Sequence, residues 1–498
     1  MSDELERFRT LCRTIHDLQE AQGVLDWDQQ TMMPRRGAEQ RGNQLAALAR
    51  VIHERLTSPR LGELVEALEG RADLDGDARA DLREIRRERD RALRLPEELV
   101  AERARVCAMA QHAWEEALGK DDFGLFRPHL ERVLAVMREV AGALRNEGAS
   151  AYDALLEEYE PGSSEAELRR LFDGLRPALT ALLGRITGSR HPPDPALLQG
   201  SFPIEDQEAF AREIALRMGF DLAAGRIDRS VHPFTAGTRA DVRITNRYRA
   251  DNVAPAVFGM IHEAGHGLYE QGLDPDRFRD PAGGYCSLGL HESQSRLWEN
   301  LIGRSRPFWQ FHLPLLRRAF PGAFDRVNLD GLYGAINTVR PSLIRVDADE
   351  VTYNLHIILR FELESALLGG DLNVGELTGA WRERCQSLLG VAPATDREGA
   401  LQDVHWSGGL FGYFPTYALG NLYGAQLLEA MRRDLTDLDE QVARGELLGI
   451  KAWLNEKVHR QGRRLLAPEL CRQVSGATLS PEPALRHLEG KYAEIYRL

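Results

Sequence analysis

The chain has 498 residues, 43% of them hydrophobic and 28% charged, which is ordinary for a folded protein with a sizeable core. Its formal net charge of −13 argues against nucleic acid as a partner, because phosphate binding calls for a basic face. The five cysteines are scattered without a CxxC pair, which excludes a disulfide framework or a thiolate zinc site and fits a reducing compartment.

The start, Met1-Ser2-Asp3-Glu4, is acidic and lacks the apolar core of a secretory signal. No run of about 18 apolar residues follows, so no membrane partner and a cytoplasmic location are expected. Residues 1–24 carry apolar side chains at helical spacing through Leu5, Phe8, Leu11, Cys12, Ile15 and Leu18. Pro34 interrupts, and Arg41 to Glu69 reads as one long helical stretch. Segments 76–92, 96–118 and 125–158 are rich in Ala, Leu, Arg and Glu and are predicted helical. Glu160-Pro161-Gly162-Ser163-Ser164 is a stop, with Ser163 or Ser164 available to cap a helix over 165–188. His191-Pro192-Pro193-Asp194-Pro195 is a loop, and Gln207 to Met218 returns to helix. Residues 225–250 differ: two stretches alternate like strands on either side of Gly237.

The segment that follows carries the chemistry. In His262-Glu263-Ala264-Gly265-His266, two imidazoles four residues apart share one helix face and can reach one zinc ion. Glu263 beside them is placed to take a proton from water. Chance supplies about 0.03 copies of such a pattern in a chain of this composition, so its surroundings have to decide. They agree: Pro255 suits a first turn, while Val257, Phe258, Ile261, Ala264 and Leu268 make a buried stripe. Gly267 and Gly272 fit a helix end soon after.

A catalytic zinc site takes three protein ligands. Glu292 lies 26 residues beyond His266, near the start of a second amphipathic helix marked by Leu290, Leu297, Trp298, Leu301 and Ile302. The intervening Asp, Pro and Gly residues allow the chain to turn back. His291 and Glu299 are rival ligands, and Glu299 reads equally as a carboxylate outside the ligand set. Helices continue to Leu498. The expected organisation is one catalytic unit over 1–498, with a helical part over about 1–200 and a zinc-site core over about 225–430.

Six motifs occur in order: His232-Pro233-Phe234, Asp241-Val242-Arg243-Ile244-Thr245, the zinc pentapeptide, His291-Glu292-Ser293-Gln294, Ile344-Arg345-Val346-Asp347-Ala348-Asp349 and Gly399-Ala400-Leu401-Gln402-Asp403-Val404-His405-Trp406. Together they resemble the M32 zinc carboxypeptidases, the carboxypeptidase Taq type. Trp27 to Pro34 and Tyr159-Glu160-Pro161-Gly162 also look like that family. The resemblance implies a mainly α, two-lobed fold with a deep groove and a small β-sheet beside the zinc helix, similar to neurolysin and angiotensin-converting-enzyme relatives. It also implies release of single C-terminal residues with broad preference and poor tolerance of Pro, and homodimers.

The resulting assignment makes His262, His266 and Glu292 the metal ligands and Glu263 the base. Zn2+ is the expected ion, with Co2+ or Mn2+ as substitutes. His405 is the first choice of oxyanion donor, with Asp403 placed to orient it, and Tyr413 and Tyr417 follow by similarity to related helical zinc peptidases. Arg345 is the preferred anchor for a terminal carboxylate and Arg243 its rival. Each has a structural alternative: Arg243 pairing with Asp241, Arg345 with Asp347 or Asp349. His232 and Asp241 complete the candidate substrate contacts. An oligopeptidase or aminopeptidase with the same chemistry, and an inactive helical scaffold, remain as alternatives.

Overall fold

The computed structural model describes residues 3–498. It is mainly helical with one three-stranded sheet, as the sequence predicts. None of its helices is long and apolar enough to cross a membrane. The chain forms two compact units, each assembled from three segments. The first comprises Met1–Leu93, Asp194–Ile336 and Leu427–Thr478; the second comprises Arg94–Pro193, Asn337–Gln426 and Leu479–Leu498.

In the first unit the opening helix runs Asp3–Thr31, about two turns beyond the sequence expectation, and halts before Pro34. The predicted single stretch Arg41 to Glu69 is two helices, Ala38–Leu56 and Pro59–Glu69. Ser58 divides them: its hydroxyl accepts from the Leu61 amide, and Pro59 removes the amide that a continuous helix would use. Leu5, Phe8, Cys12 and Ile15 pack there with Leu61, Val65, Leu68, Leu82 and Ile85 in one buried cluster.

The sheet has the order β1 (Gly225–Arg229), β3 (Val242–Asn246), β2 (Thr235–Ala236). β3 is central, parallel to β1 and antiparallel to β2. Gly237, at φ 78°, makes the turn between β2 and β3, where a Cβ would strike the Asp241 carbonyl. Val242 and Ile244 are fully buried. Against β3 lies the helix Ala254–Gly272, with Pro255 in its first turn. Asn246 Nδ2 donates to the Ala256 carbonyl at 2.8 Å and ties strand to helix. Gly267, read from sequence as near a helix end, sits inside this helix, where a side chain would collide with Phe220.

The chain returns through Leu288–Arg296, which continues as a π-helical segment Leu297–Gly303. These elements approach closely at Gly265: a Cβ there would stand 2.7 Å from Ser295 Cα and 2.8 Å from the Gln294 carbonyl oxygen. The missing side chain lets one helix backbone lie on the other.

In the second unit the predicted helix 125–158 is interrupted, with Phe123–Leu144 and Ala151–Leu156 separated by a loop. Ser150 with Asp153, and Ser164 with Glu167, form capping boxes that start Ala151–Leu156 and Glu165–Thr187. The core helix Thr352–Gly369 is buried on nearly every face. It includes Glu364, whose oxygens accept from Tyr152 Oη (2.9 Å), Trp406 Nε1 (2.8 Å) and the Gly412 amide (3.1 Å). Burial pushes this carboxyl up to about 7 against those three donors.

Candidate active site

In the first unit, His262 and His266 project one turn apart from Ala254–Gly272, and Glu292 projects from the first turn and a half of Leu288–Arg296. One donor atom from each of the three lies within 4.8 Å of the others. Glu292 Oε2 is 3.8 Å from His262 Nε2 and 3.4 Å from His266 Nε2. The opposite ring nitrogens are occupied: His262 Nδ1 is 2.9 Å from Glu299 Oε2, and His266 Nδ1 is 2.6 Å from His291 Nδ1. Both Nε2 atoms therefore face the space where an ion would bind all three residues. Two imidazoles and one carboxylate suit zinc better than the oxygen-preferring magnesium or calcium.

Charge is balanced around this cluster by half-buried arginines. Glu292 Oε1 accepts from Arg296 Nε at 2.7 Å. Glu299 accepts from Arg304 Nη2 at 3.0 Å and from Arg296 Nη1 at 3.4 Å. Burial pushes the Glu292 carboxyl up, yet Arg296, His262 and His266 outweigh it and hold it well below the usual carboxylate range. Burial pulls His266 down to about 3, with His291 adding to the effect, so this imidazole is neutral and free to coordinate.

Glu263 lies beside the triad, only 5% exposed. Its Oε2 accepts from Thr235 Oγ1 at 2.7 Å, so β2 holds it from the side. Burial raises its carboxyl above the ordinary value, against His262 and the Thr235 bond. A carboxylate that holds a proton more readily is suited to general-base work near neutral pH.

The rivals sort differently. Glu299 and His291 touch the histidines at the ring nitrogens turned away from Glu292, outside the three-donor cluster. Arg243 pairs with both oxygens of Asp241 at 2.9 Å, as its structural alternative predicted, and its guanidinium lies over Trp27 at 4.4 Å. His232 is exposed in the loop between β1 and β2, and its carbonyl accepts from Ser230 Oγ.

In the second unit Arg345 does not take the expected acidic partners. Asp349 caps the helix Thr352–Gly369, accepting from the Thr352 amide and hydroxyl at 2.9 Å each. Arg345 instead donates from Nε (3.0 Å) and Nη2 (2.8 Å) to Asp403 Oδ1, and from Nη1 to Tyr353 Oη at 3.2 Å. Arg360 Nε donates to the other oxygen, Oδ2, at 2.6 Å. Asp403 thus serves two guanidinium groups rather than orienting His405. His405 Nε2 is 3.4 Å from Tyr417 Oη, and its ring packs near Phe414 and Tyr413. Its Nδ1 is buried with no hydrogen-bond partner among the described residues. Burial takes this imidazole down to about 4, with Asp403 opposing and Arg345 and Arg360 assisting.

Sequence reading missed Thr235, Glu270, Arg296, Arg304 and Arg360. Arg296 and Glu270 carried a signal, since each lies four residues from a ligand candidate on its own helix. Arg304 and Arg360 carried none, because they reach their partners through a π-helical stretch and across a loop.

Comparison with known proteins bears on the whole chain. The family model described as carboxypeptidase Taq (M32) metallopeptidase matches residues 7–492. The chain is 46% identical over 482 residues to thermostable carboxypeptidase 1 of Thermus thermophilus, covering 94% of each chain. It is 39% identical to carboxypeptidase 1 of Bacillus subtilis, covering 99% of each. The crystal structure of an M32 carboxypeptidase from Deinococcus radiodurans R1 superposes with a TM-score of 0.97 at 37% identity over the whole of both chains. With the family model, the relatives and the fold in agreement, the chain belongs to the M32 metallopeptidases and is a metallocarboxypeptidase.

Proposed function

We propose that the protein is a zinc carboxypeptidase that releases single residues from peptide C-termini with broad preference and poor tolerance of Pro. The observation that carries this reading is the His262–His266–Glu292 donor set with buried Glu263 beside it. His262 Nε2, His266 Nε2 and a Glu292 oxygen would hold one zinc ion, with cobalt or manganese as substitutes. When bound there, zinc supplies a Lewis acid that acidifies water and polarises the scissile carbonyl. Glu263 takes the proton of the attacking water and delivers it to the leaving amine, and Thr235 fixes the carboxylate that does so.

Arg345 is the proposed anchor for the terminal carboxylate. Its support is charge: Arg345 and Arg360 share a single carboxylate, Asp403, so the buried cluster keeps one net positive charge for an anion. Arg243, by contrast, is neutralised by Asp241. His405 is the proposed oxyanion donor, aided by Tyr413 or Tyr417. Its low pKa keeps it a neutral donor rather than a cation that would pair with substrate. His232 and Asp241, at the sheet, are proposed as peptide contacts.

We take residues 1–498 to act as one catalytic unit in a cytoplasmic homodimer. The five cysteines are all free, which suits that compartment. Sedimentation at micromolar concentration tests the dimer. The activity test is a short peptide incubated with the protein before and after chelation, its products followed by mass. Stepwise C-terminal loss that stops on chelation, returns with zinc and spares a C-terminally amidated peptide is expected. Loss from the amino end, or internal cleavage of the amidated peptide, identifies an aminopeptidase or oligopeptidase instead.

A further inference from the structure

The two histidines of the donor set are held in unlike ways. His262 Nδ1 meets a carboxylate directly, that of Glu299, which Arg296 and Arg304 brace. His266 Nδ1 meets another imidazole, His291, whose far nitrogen Nε2 is 2.9 Å from Glu270 Oε1. The His266 and His291 rings lie 23° from parallel with centroids 4.6 Å apart, so the 2.6 Å contact joins them edge to edge.

That contact allows one arrangement of protons if His266 binds an ion through Nε2. The lone pair on Nε2 requires the His266 proton on Nδ1, where it can only be donated to His291 Nδ1. His291 must then be an acceptor at Nδ1 and carry its own proton on Nε2, which it donates to Glu270. Each proton has one acceptor and the chain ends on a buried carboxylate, 6% exposed. Packing fixes the middle ring: Tyr269 lies 5.2 Å from it at a 32° tilt, and Tyr285 meets it edge-on at 4.8 Å. His291, Glu270 and Tyr269 all come from the two helices that carry the donor set, so the relay is built into the same contact.

We infer that Glu270 and His291 are positioning residues for the metal centre, fixing the tautomer and direction of His266 through a two-link relay. This rests on the proposed zinc site. It also removes His291 from the ligand candidates, since both of its nitrogens are engaged elsewhere. The two ligands are then unequal: His262 faces a charged acceptor, His266 a neutral one.

The test compares wild type with H291L, H291N and E270Q in the full-length protein. Zinc affinity is read by competition with a chromophoric chelator, and ligand geometry by the visible absorption of the cobalt-loaded form. Far-UV circular dichroism of the metal-free proteins establishes that each variant folds. H291L should weaken zinc binding roughly 10–100-fold and alter the cobalt spectrum, as expected when such a partner is lost. H291N places an amide oxygen near the lost Nδ1 acceptor and should recover most of the affinity and the native spectrum. E270Q retains an acceptor without charge and should weaken binding by less than H291L. A folded H291L with wild-type affinity and spectrum overturns the inference, as does an H291N no better than H291L. Should H291L fail to fold, an E270Q with unaltered affinity and spectrum overturns it. Failure of the wild-type protein to bind zinc at all would strike the proposed metal site instead.

Discussion

Glu263, the proposed base, shows how much of a site residue is local and how much is borrowed. Its place between two histidines is written in the pentapeptide, but its burial and its bond to Thr235 come from a helix packed against β2. Replacing it by Gln keeps the shape and removes the base. Turnover of Glu263→Gln should fall on the order of 10²–10⁴-fold while zinc content, measured by metal analysis, stays at the wild-type level. Arg345 makes a different prediction. Arg345→Lys keeps a charge but loses the planar fork that pairs with two oxygens, so kcat/KM on free C-termini should drop about tenfold or more with unchanged metal content. Steady-state kinetics on a dipeptide series checks it. An unchanged kcat/KM would return Arg345 to the purely structural role of pairing with Asp403.

At the scale of elements, the donor set depends on backbone contact rather than on side-chain reach. Gly265 lies against Ser295 and Gln294, and any side chain there pushes Leu288–Arg296 away from the two histidines. Gly265→Val should cost about 1–3 kcal/mol, as overpacking does, lowering the thermal midpoint and weakening zinc binding together. If the midpoint falls while metal affinity stays, the helix contact is not what sets the ligand spacing. The π-helical stretch Leu297–Gly303 adds what an α-helix would not, since a turn wider by one residue suits the five-residue separation at which Arg304 donates to Glu299, whereas Arg296 meets Glu299 at the three-residue spacing of an ordinary helix. The sequence shows amphipathic spacing there, which is blind to the change of helix type. The Ser58-Pro59 break carries a signal, a cap followed by the one residue with no amide, but the apolar spacing runs on across it and the stretch reads as one helix.

Over the whole molecule, stability should weaken on the acid side because several imidazoles are buried uncharged. Burial takes His312 down to about 4, and the side chain is wholly enclosed. Between pH 6.5 and about 4 an unfolded chain binds a proton at this position and the folded one does not. The folded state therefore loses stability as pH falls through that window, by about 3 kcal/mol for His312 alone. Glu364 acts oppositely: its folded value of about 7 lies above the ordinary 4.5, so its contribution declines as pH rises between those values. The test is therefore a difference. The stability gap between wild type and His312→Gln, read from denaturant midpoints at pH 4.5 and pH 7, should narrow at the lower pH. A gap independent of pH would show that His312 titrates alike in both states.

The linear order of residues determined what periodicity and spacing can carry: a helical chain, a short sheet ahead of the metal helix, two histidines on one face and Glu263 between them. These follow from neighbours within a turn or a strand, where geometry repeats every 3.6 or two residues. Only the tertiary structure decided that Glu299 and His291 meet the Nδ1 atoms of His262 and His266, on the side away from Glu292, that Asp403 pairs with Arg345 and Arg360 and leaves His405 Nδ1 without a hydrogen-bond partner among the described residues, and that Glu270 lies against the far nitrogen of His291. Those choices are made between residues far apart in the chain, where the low dielectric of a buried site makes an unpaired polar group costly and the packing of the elements selects which carboxylate each cation meets.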